Sequence, residues 1–204
     1  LKRSEKLKLL KMKVNRNVFW LILLMAVSCN SNENFVPKPH GYPRMDLPKK
    51  AYKPAGFQDA PYEFEIPQYS MVTEDERNTG KYWYNVVFPS FDATLHLTYY
   101  PFKNWDQYDS MVSDTRSLVN KHIQKAEDII EDPLENYNAN LHGLVFHIEG
   151  HTASNLNFYA TDSSKHFLRG ALYFNKKTEP DSIAPAFEFL WKDVQHALKT
   201  FNWK

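Results

Sequence analysis

The sequence predicts an α+β fold in which a mainly antiparallel sheet is flanked by two long amphipathic helices. Several segments rich in aromatic and β-branched residues alternate apolar and polar side chains, which is typical of half-buried strands. Two other segments carry apolar residues at steps of three and four, which is typical of a helix with one buried face. The order is strands, a long helix, three strands and a closing helix, so the helices must cover one sheet face each or share one.

Six segments have the strand pattern. In the third of them, Leu95 and Leu97 alternate with His96 and Thr98. The last three segments are separated only by turn-rich residues, which predicts an antiparallel meander. In chain order the six segments are residues 62–66, 83–88, 93–100, 141–149, 156–161 and 166–174.

The two helices have recognisable start signals. The first is predicted to begin after Asn104, with Gln107 three residues later as the partner of a capping box. Its apolar stripe extends to Ala126. The second is predicted to begin near residues 181–182, with Pro185 tolerated in the first turn. We expect the aromatic and methionine side chains of both stripes to belong to the core.

The N-terminal region has the pattern of a bacterial lipoprotein signal peptide. Seven basic residues and one acid precede an apolar run from Val18 to Val27, and small residues then lead to Cys29, the only cysteine of the chain. The run has the length of a signal-peptide h-region and is too short to span a bilayer. We therefore predict a signal peptide over residues 1–28, with Met12 as the true start, and a lipid anchor on Cys29.

The segment that follows is rich in proline. Residues 30–61 contain six prolines, which favour an extended, polyproline-like backbone. We assign residues 29–61 to the lipidated cysteine and its tether, and we expect no regular helix or sheet there. Aromatic and β-branched residues become frequent from Tyr62, so residues 62–204 are predicted to form a single globular domain.

The charge of the chain changes when the leader is set aside. The leader holds seven of the 25 basic residues and one of the 24 acidic residues, which leaves 18 bases, 23 acids and a net charge of about −5. A mildly acidic domain without a basic run excludes nucleic acid as a partner. If Cys29 carries lipid, no thiol remains for catalysis or for a disulfide.

The sequence contains no known catalytic or nucleotide-binding motif, and we expect no cofactor. His147, Glu149 and His151 would share one face of a strand and are candidate zinc ligands. The favoured alternative is a solvent-exposed strand face without a metal, because one strand rarely supplies all the ligands of an ion. Arg169, in the middle of a predicted strand, could bind a carboxylate of a partner. The favoured alternative is an ion pair with an acid on the neighbouring strand.

Four stretches together resemble a known family. They are "PKPHGYPRMDLPKKAY", "YPFKNWDQY", "TDSSKHFLRGALYFN" and "DSIAPAFEFLWKDVQHALKTFNW". The combination resembles the gliding-motility lipoprotein family GldD of the Bacteroidota. The resemblance implies a component needed for gliding and for the linked type IX secretion system, with other envelope proteins of that machinery as partners. The order of elements also resembles the PsbP/Mog1-type sandwich.

The resemblance favours a non-catalytic, membrane-anchored protein that binds or assembles other envelope proteins. The alternative is an envelope enzyme, metal-dependent or acid–base, that uses His147, Glu149 and His151. Two tripeptides also resemble O-glycosylation sites of exported proteins in that bacterial group. They are Asp109-Ser110-Met111 and Asp181-Ser182-Ile183.

The tether has an unusual set of side chains. His40, Tyr42, Arg44 and Met45 lie between its prolines, where a pure spacer would carry serine, glycine or lysine. Tyrosine and arginine are frequent binding hot spots, and an extended backbone loses little entropy when it docks. We predict that Tyr42 and Arg44 contact either the folded domain or a partner.

The residues after the cysteine bear on localisation. Asn30 is not aspartate, so the simplest signal for retention in the cytoplasmic membrane is missing, and residues 30–34 contain a single acid. We therefore expect a lipid-anchored, periplasm-facing domain, on the inner leaflet of the outer membrane in preference to the cytoplasmic membrane.

Overall fold

The computed structural model of the protein describes residues 45–74, 80–136, 139–152, 154–175 and 180–204, with residues 180–182 described by their backbone alone. Within these ranges the chain forms eleven strands and two α-helices. In chain order they are β1 Tyr52–Pro54, β2 Tyr62–Glu63, β3 Glu65–Pro67, β4 Met71–Glu74, β5 Tyr84–Phe88, β6 Ala93–Pro101, α1 Trp105–Asn120, β7 Ala126–Asn136, β8 Leu141–Gly150, β9 Ser154–Thr161, β10 His166–Phe174, α2 Pro180–Lys199 and β11 Asn202–Trp203.

Seven of the strands form one antiparallel sheet. Their order is β4-β5-β6-β10-β9-β8-β7, so β10 lies at the centre and β4 and β7 form the edges. The strands β8, β9 and β10 form the predicted meander. Two short ladders, β1 with β3 and β11 with β2, complete the pairing among the described residues. The α+β fold with a mainly antiparallel sheet and two helices is confirmed.

The two helices cover opposite faces of the sheet. Leu190 of α2 belongs to the larger core cluster, with Leu97 and Leu168 from the central strands. Val119 of α1 belongs to a smaller cluster, with Phe146 on the other face. The sheet is therefore the middle layer of a sandwich, and its α1 face buries the smaller core.

The predicted strand pattern is confirmed. All six predicted segments contain strands, and the alternation on β6 sorts its side chains between the two faces. Leu95 and Leu97 are buried on the α2 face, whereas His96 and Thr98 are half-buried on the α1 face. Within the seven-stranded sheet two strands were not predicted, β4 and β7, and both are edges of that sheet.

The start of α1 is confirmed and its end is not. The Asn104 side chain accepts a hydrogen bond from the Gln107 N–H at 3.0 Å, and Gln107 Oε1 accepts one from the Lys103 N–H at 2.8 Å. The predicted stripe to Ala126 is wrong, because α1 ends six residues earlier and Ala126 begins β7. The apolar residues beyond the helix belong to the turn and the strand.

The expectation that residues 29–61 contain no sheet is wrong for the last part of that segment. The strand β1 pairs with β3, and Phe57 and Ala60 are buried in the larger core. Pro54 and Pro67 stand at the ends of this ladder, where a missing N–H interrupts no interior hydrogen bond. The proline-rich composition is therefore compatible with a short ladder at the edge of the domain.

Candidate functional site

A cleft lies beside α1 on the sheet face that this helix covers only in part. Its volume is about 460 Å³. Its floor consists of side chains from the central strands β6, β9 and β10, and one wall is formed by the second half of α1 and the turn that follows. The lining side chains include Thr98, Asn157 and Arg169 from the sheet and Thr115, Lys121 and His122 from the helix side.

A second depression of about 310 Å³ adjoins this cleft along α1. The two cavities share Thr115 and Arg169. The second depression is mainly apolar, because Tyr100, Met111 and Phe167 contribute to its lining. Arg169 therefore lies where the two cavities meet, and the first of them is lined by more hydrogen-bonding side chains than the second.

The sequence creates the cleft by placing polar residues at alternate positions of central strands. Only two residues of α1, Thr115 and Val119, are fully buried. The positions of β6 and β10 that face the cleft carry polar side chains such as Thr98 and Arg169. Desolvating such groups without partners would be costly, so an open cleft suits this face better than a fully packed one.

Arg169 lacks the partner that the sequence-based interpretation favoured. Thr98 of β6 and Tyr159 of β9 lie directly across from it, and neither is an acid. Its guanidinium carbon lies 6.0 Å from the centre of the Tyr100 ring, in a cation–π contact. Among the described residues no carboxylate is within ion-pair distance of this guanidinium, so the expected pairing with an acid on the neighbouring strand is wrong.

The other groups of the cleft are mostly hydrogen-bonding groups. Thr98 Oγ1 is buried and has no hydrogen-bond partner among the described groups. Asn157 is buried, and its Nδ2 donates to Ser154 Oγ at 3.2 Å. Burial lowers the pKa of His122, which favours the neutral imidazole near pH 7. A cation with hydroxyl, amide and imidazole groups around it is suited to hold an anion.

The structure does not assemble the candidate metal ligands. His147 packs its ring edge-on against Trp191, with 4.6 Å between ring centroids, and its Nε2 lies 3.5 Å from Asp132 Oδ2. Burial lowers the pKa of His147. Glu149 and His151 are exposed, and the glycine between them has a φ of 100° that ends the strand geometry. Within the described residues no three His, Cys, Asp or Glu side chains form a group that could hold a metal ion.

A buried carboxylate docks the end of the proline-rich segment onto α2. Asp193 accepts hydrogen bonds from Lys50 Nζ at 2.5 Å, from Tyr52 Oη at 2.9 Å and from Tyr69 Oη. Lys50 Nζ also donates to the carbonyl oxygen of Phe189 at 2.8 Å. Burial, reinforced by Asp193, raises the pKa of Tyr52 to about 12. The segment is thus attached to the domain through a buried polar network.

Sequence reasoning missed this network, although one signal was present. Asp193 lies three residues after Leu190 and four before Ala197, both of which are buried, so an acid stands within the apolar stripe of α2. A charge at such a position needs a partner from elsewhere in the chain. The partner could not be named from the sequence because Lys50 is 143 residues away.

Several predicted site residues lie outside the part that the structure describes. They are Cys29, Tyr42 and Arg44. Of the two tripeptides resembling glycosylation sites, the first is on α1, where Ser110 is exposed and lines the apolar depression. The second starts in the region described by its backbone alone.

These features define a class of protein: a small α+β sandwich domain with an open cleft beside one helix and an N-terminal segment docked on the other. The solution structure of cyanobacterial PsbP from Synechocystis sp. PCC 6803 is similar, with a TM-score of 0.47 and 9% sequence identity over 78% of this chain and 95% of that chain. The family model for the gliding motility lipoprotein GldD matches residues 32–203. The chain therefore belongs to the GldD family of gliding motility lipoproteins.

No curated protein matches the chain. Neither helix in the described ranges has the length and apolar character needed to cross a membrane. Membership of a lipoprotein family indicates an anchored protein of the cell envelope.

Proposed function

We propose that this GldD lipoprotein is a non-catalytic binding and assembly component of the gliding machinery and of the linked type IX secretion system. Its family supports the role in gliding. The observation that carries the binding role is Arg169, a half-buried cation in an open cleft, with no acid at ion-pair distance among the described residues. The proposal excludes nucleic acid as a partner and includes no cofactor.

The physical argument concerns the cost of keeping a cation at that position. A partly buried guanidinium loses part of its hydration, and an ion pair usually offsets that loss. Among the described residues, the partner found for Arg169 is the ring of Tyr100, which offsets this loss in part. A partner that brings its own acceptor would complete the site, and arginine is among the residues most frequently found at binding hot spots.

The docked segment supports a positioning role. Lys50 and Tyr52 are held on Asp193, so the length of chain between Cys29 and Lys50 would limit the distance from a lipid anchor to the domain. Twenty-one residues reach at most about 70 Å when fully extended. Lipidation of Cys29 would therefore keep the cleft close to one membrane. We propose that Tyr42 and Arg44 add contacts along this span and that the domain faces the periplasm from the outer membrane.

The test compares two arginines that differ in their partners. Arg169→Gln removes the cation of the cleft, whereas Arg116→Gln removes an exposed cation of α1 that pairs with Glu131 at 2.7 Å. Each variant replaces the protein in cells, and the measurements are gliding speed, secretion of type IX substrates and the set of envelope proteins captured by chemical cross-linking.

We expect Arg169→Gln to reduce gliding, secretion and cross-linking while the amount of protein in the membrane stays the same. Arg116→Gln should behave like the unmodified protein. Normal gliding and an unchanged set of cross-linked proteins in the Arg169→Gln strain would refute the proposed binding role.

A further inference from the structure

We infer that the cleft beside α1 binds a carboxylate that is joined to an apolar or aromatic group, with the carboxylate on Arg169 and the apolar group in the adjoining depression. This inference rests on the proposed binding function and specifies the ligand class of the same site. It is carried by the juxtaposition of the two cavities at Arg169.

The charge balance of the two cavities favours a monoanion. Arg169 lines both cavities, Lys121 lines the cleft, and the acid Asp114 lines the apolar depression. A doubly charged phosphate at the junction would be repelled by that acid and would have only one half-buried cation beside it. A carboxylate carries a single charge, and its two oxygens match the planar fork of a guanidinium.

The groups around Arg169 also match a carboxylate. The Tyr100 ring contacts the guanidinium and helps to fix its plane. Thr98 is directly across from Arg169 in the register of β6 and β10, and its hydroxyl has no hydrogen-bond partner among the described groups. Thr98 also lines the cleft, and a hydroxyl group can donate to an anion.

The apolar depression explains why a carboxylate alone would be an incomplete ligand. Tyr100, Met111 and Phe167 contribute aromatic and thioether surfaces to its lining. Its volume of about 310 Å³ is at the lower end of the range of small-molecule pockets, so it suits one side chain of aromatic or large aliphatic size. Methionine and aromatic surfaces adapt well to such groups.

The experiment uses three blocked dipeptides that contain phenylalanine, a fourth without an aromatic ring, and the full lipidated chain in detergent micelles. Ac-Gly-Phe-OH carries a terminal carboxylate, Ac-Glu-Phe-NH2 carries a side-chain carboxylate, and Ac-Gly-Phe-NH2 has the aromatic ring without an acid. Binding is followed by NMR through the Nε–H signal of Arg169 and the amide signals of β6 and β10. The first two probes separate a chain terminus from an acidic side chain as the source of the anion.

We expect at least one acidic dipeptide to bind and the neutral one to bind about tenfold more weakly or not at all, since a charge-assisted hydrogen bond is lost. Arg169→Gln should lower the affinity for the acidic dipeptide by about tenfold or more, and Arg116→Gln should leave that affinity unchanged. Met111→Gln should lower the affinity for Ac-Gly-Phe-OH more than the affinity for Ac-Gly-Gly-OH, which has no aromatic ring. Thermal unfolding checks that each variant is folded.

The outcomes separate this inference from the proposed function. If no acidic dipeptide shifts the Arg169 signal, or if the acidic and neutral dipeptides bind equally, the ligand class is wrong even when Arg169→Gln still impairs cross-linking in cells. If the acidic dipeptides bind through Arg169 but cross-linking and gliding are unaffected by Arg169→Gln, the ligand class stands and the proposed role in assembly fails.

Discussion

Replacing Asp193 by asparagine should release the segment that precedes β1. The substitution keeps the size of the side chain and removes its negative charge. The carboxylate oxygens accept hydrogen bonds from Lys50, Tyr52 and Tyr69. Lys50 and Tyr52 lie on the docked segment, so the contacts between this segment and α2 weaken together. The free energy of unfolding should fall accordingly.

The magnitude follows from burial. The Asp193 side chain is 1% exposed and the Lys50 side chain is 28% exposed. Removing one partner of a buried ion pair costs about 3–5 kcal/mol. Because Lys50 can be partly rehydrated and asparagine retains one acceptor oxygen, we expect a loss of about 2–4 kcal/mol from a typical total of about 5–15 kcal/mol.

Urea unfolding followed by tryptophan fluorescence measures the loss, and a double-mutant cycle isolates the pair. We expect Asp193→Asn and Lys50→Met to couple by more than about 1.5 kcal/mol. The matched control is the cycle of Arg116→Gln with Glu131→Gln, whose side chains are 44% and 39% exposed and should couple by about 0.2–1 kcal/mol. Equal coupling in the two cycles, or a loss below about 0.5 kcal/mol for Asp193→Asn, would refute the docking argument.

Three further predictions concern acid stability, packing and the anchor. His166 is buried, and its Nδ1 lies 2.7 Å from Tyr99 Oη. Burial lowers the pKa of His166 in the folded protein, so this histidine takes up a proton more readily in the unfolded chain as the pH falls below about 6.5. The free energy of unfolding measured with urea should therefore decrease from pH 7.5 to pH 5.5, by up to about 1.4 kcal/mol per pH unit for this group. The variant His166→Gln should make this free energy less dependent on pH, and an unchanged pH dependence in the variant contradicts the argument. Gly143→Ala places a Cβ against the Tyr159 carbonyl oxygen and should cost about 1–3 kcal/mol in urea unfolding, whereas unchanged stability would show that β9 can shift. Cys29→Ala should abolish lipid labelling and release the domain from membranes, and a variant that still pellets after carbonate washing contradicts the anchor.

The central strands could be predicted because burial imposes a strict pattern on them. On β6, Leu95 and Leu97 must face the larger core, so polar residues fall on the opposite face. The edge strand β7 could not be predicted in this way. In the part of the chain that the structure describes, β7 pairs with a strand on one side only, and even Ile130 is among its exposed side chains, so no alternation is enforced. The same reason applies to β4, in which Met71 is exposed.

Only part of the candidate site could be predicted from the sequence. The sequence shows Arg169 as a charge in the middle of a strand, but whether an acid lies opposite it depends on which strands lie beside β10. The sequence could not show that Thr98 and Tyr159 are those neighbours. Likewise, the spacing of His147 and Glu149 predicts a shared face but not that Trp191 packs against the imidazole.

The composition of β7 has a consequence for molecules crowded on a membrane. This edge of the sheet is eleven residues long, and acids make up nearly half of it: Glu127, Asp128, Glu131, Asp132 and Glu135. Lipid-anchored proteins diffuse in two dimensions and collide often, and an open strand edge invites sheet-to-sheet joining between copies. If two copies of β7 met edge to edge, their carboxylates would be brought together without any lysine or arginine on either strand, and Pro133 would withhold a backbone donor. Copies of the domain can therefore share a membrane at high density without polymerising through this edge.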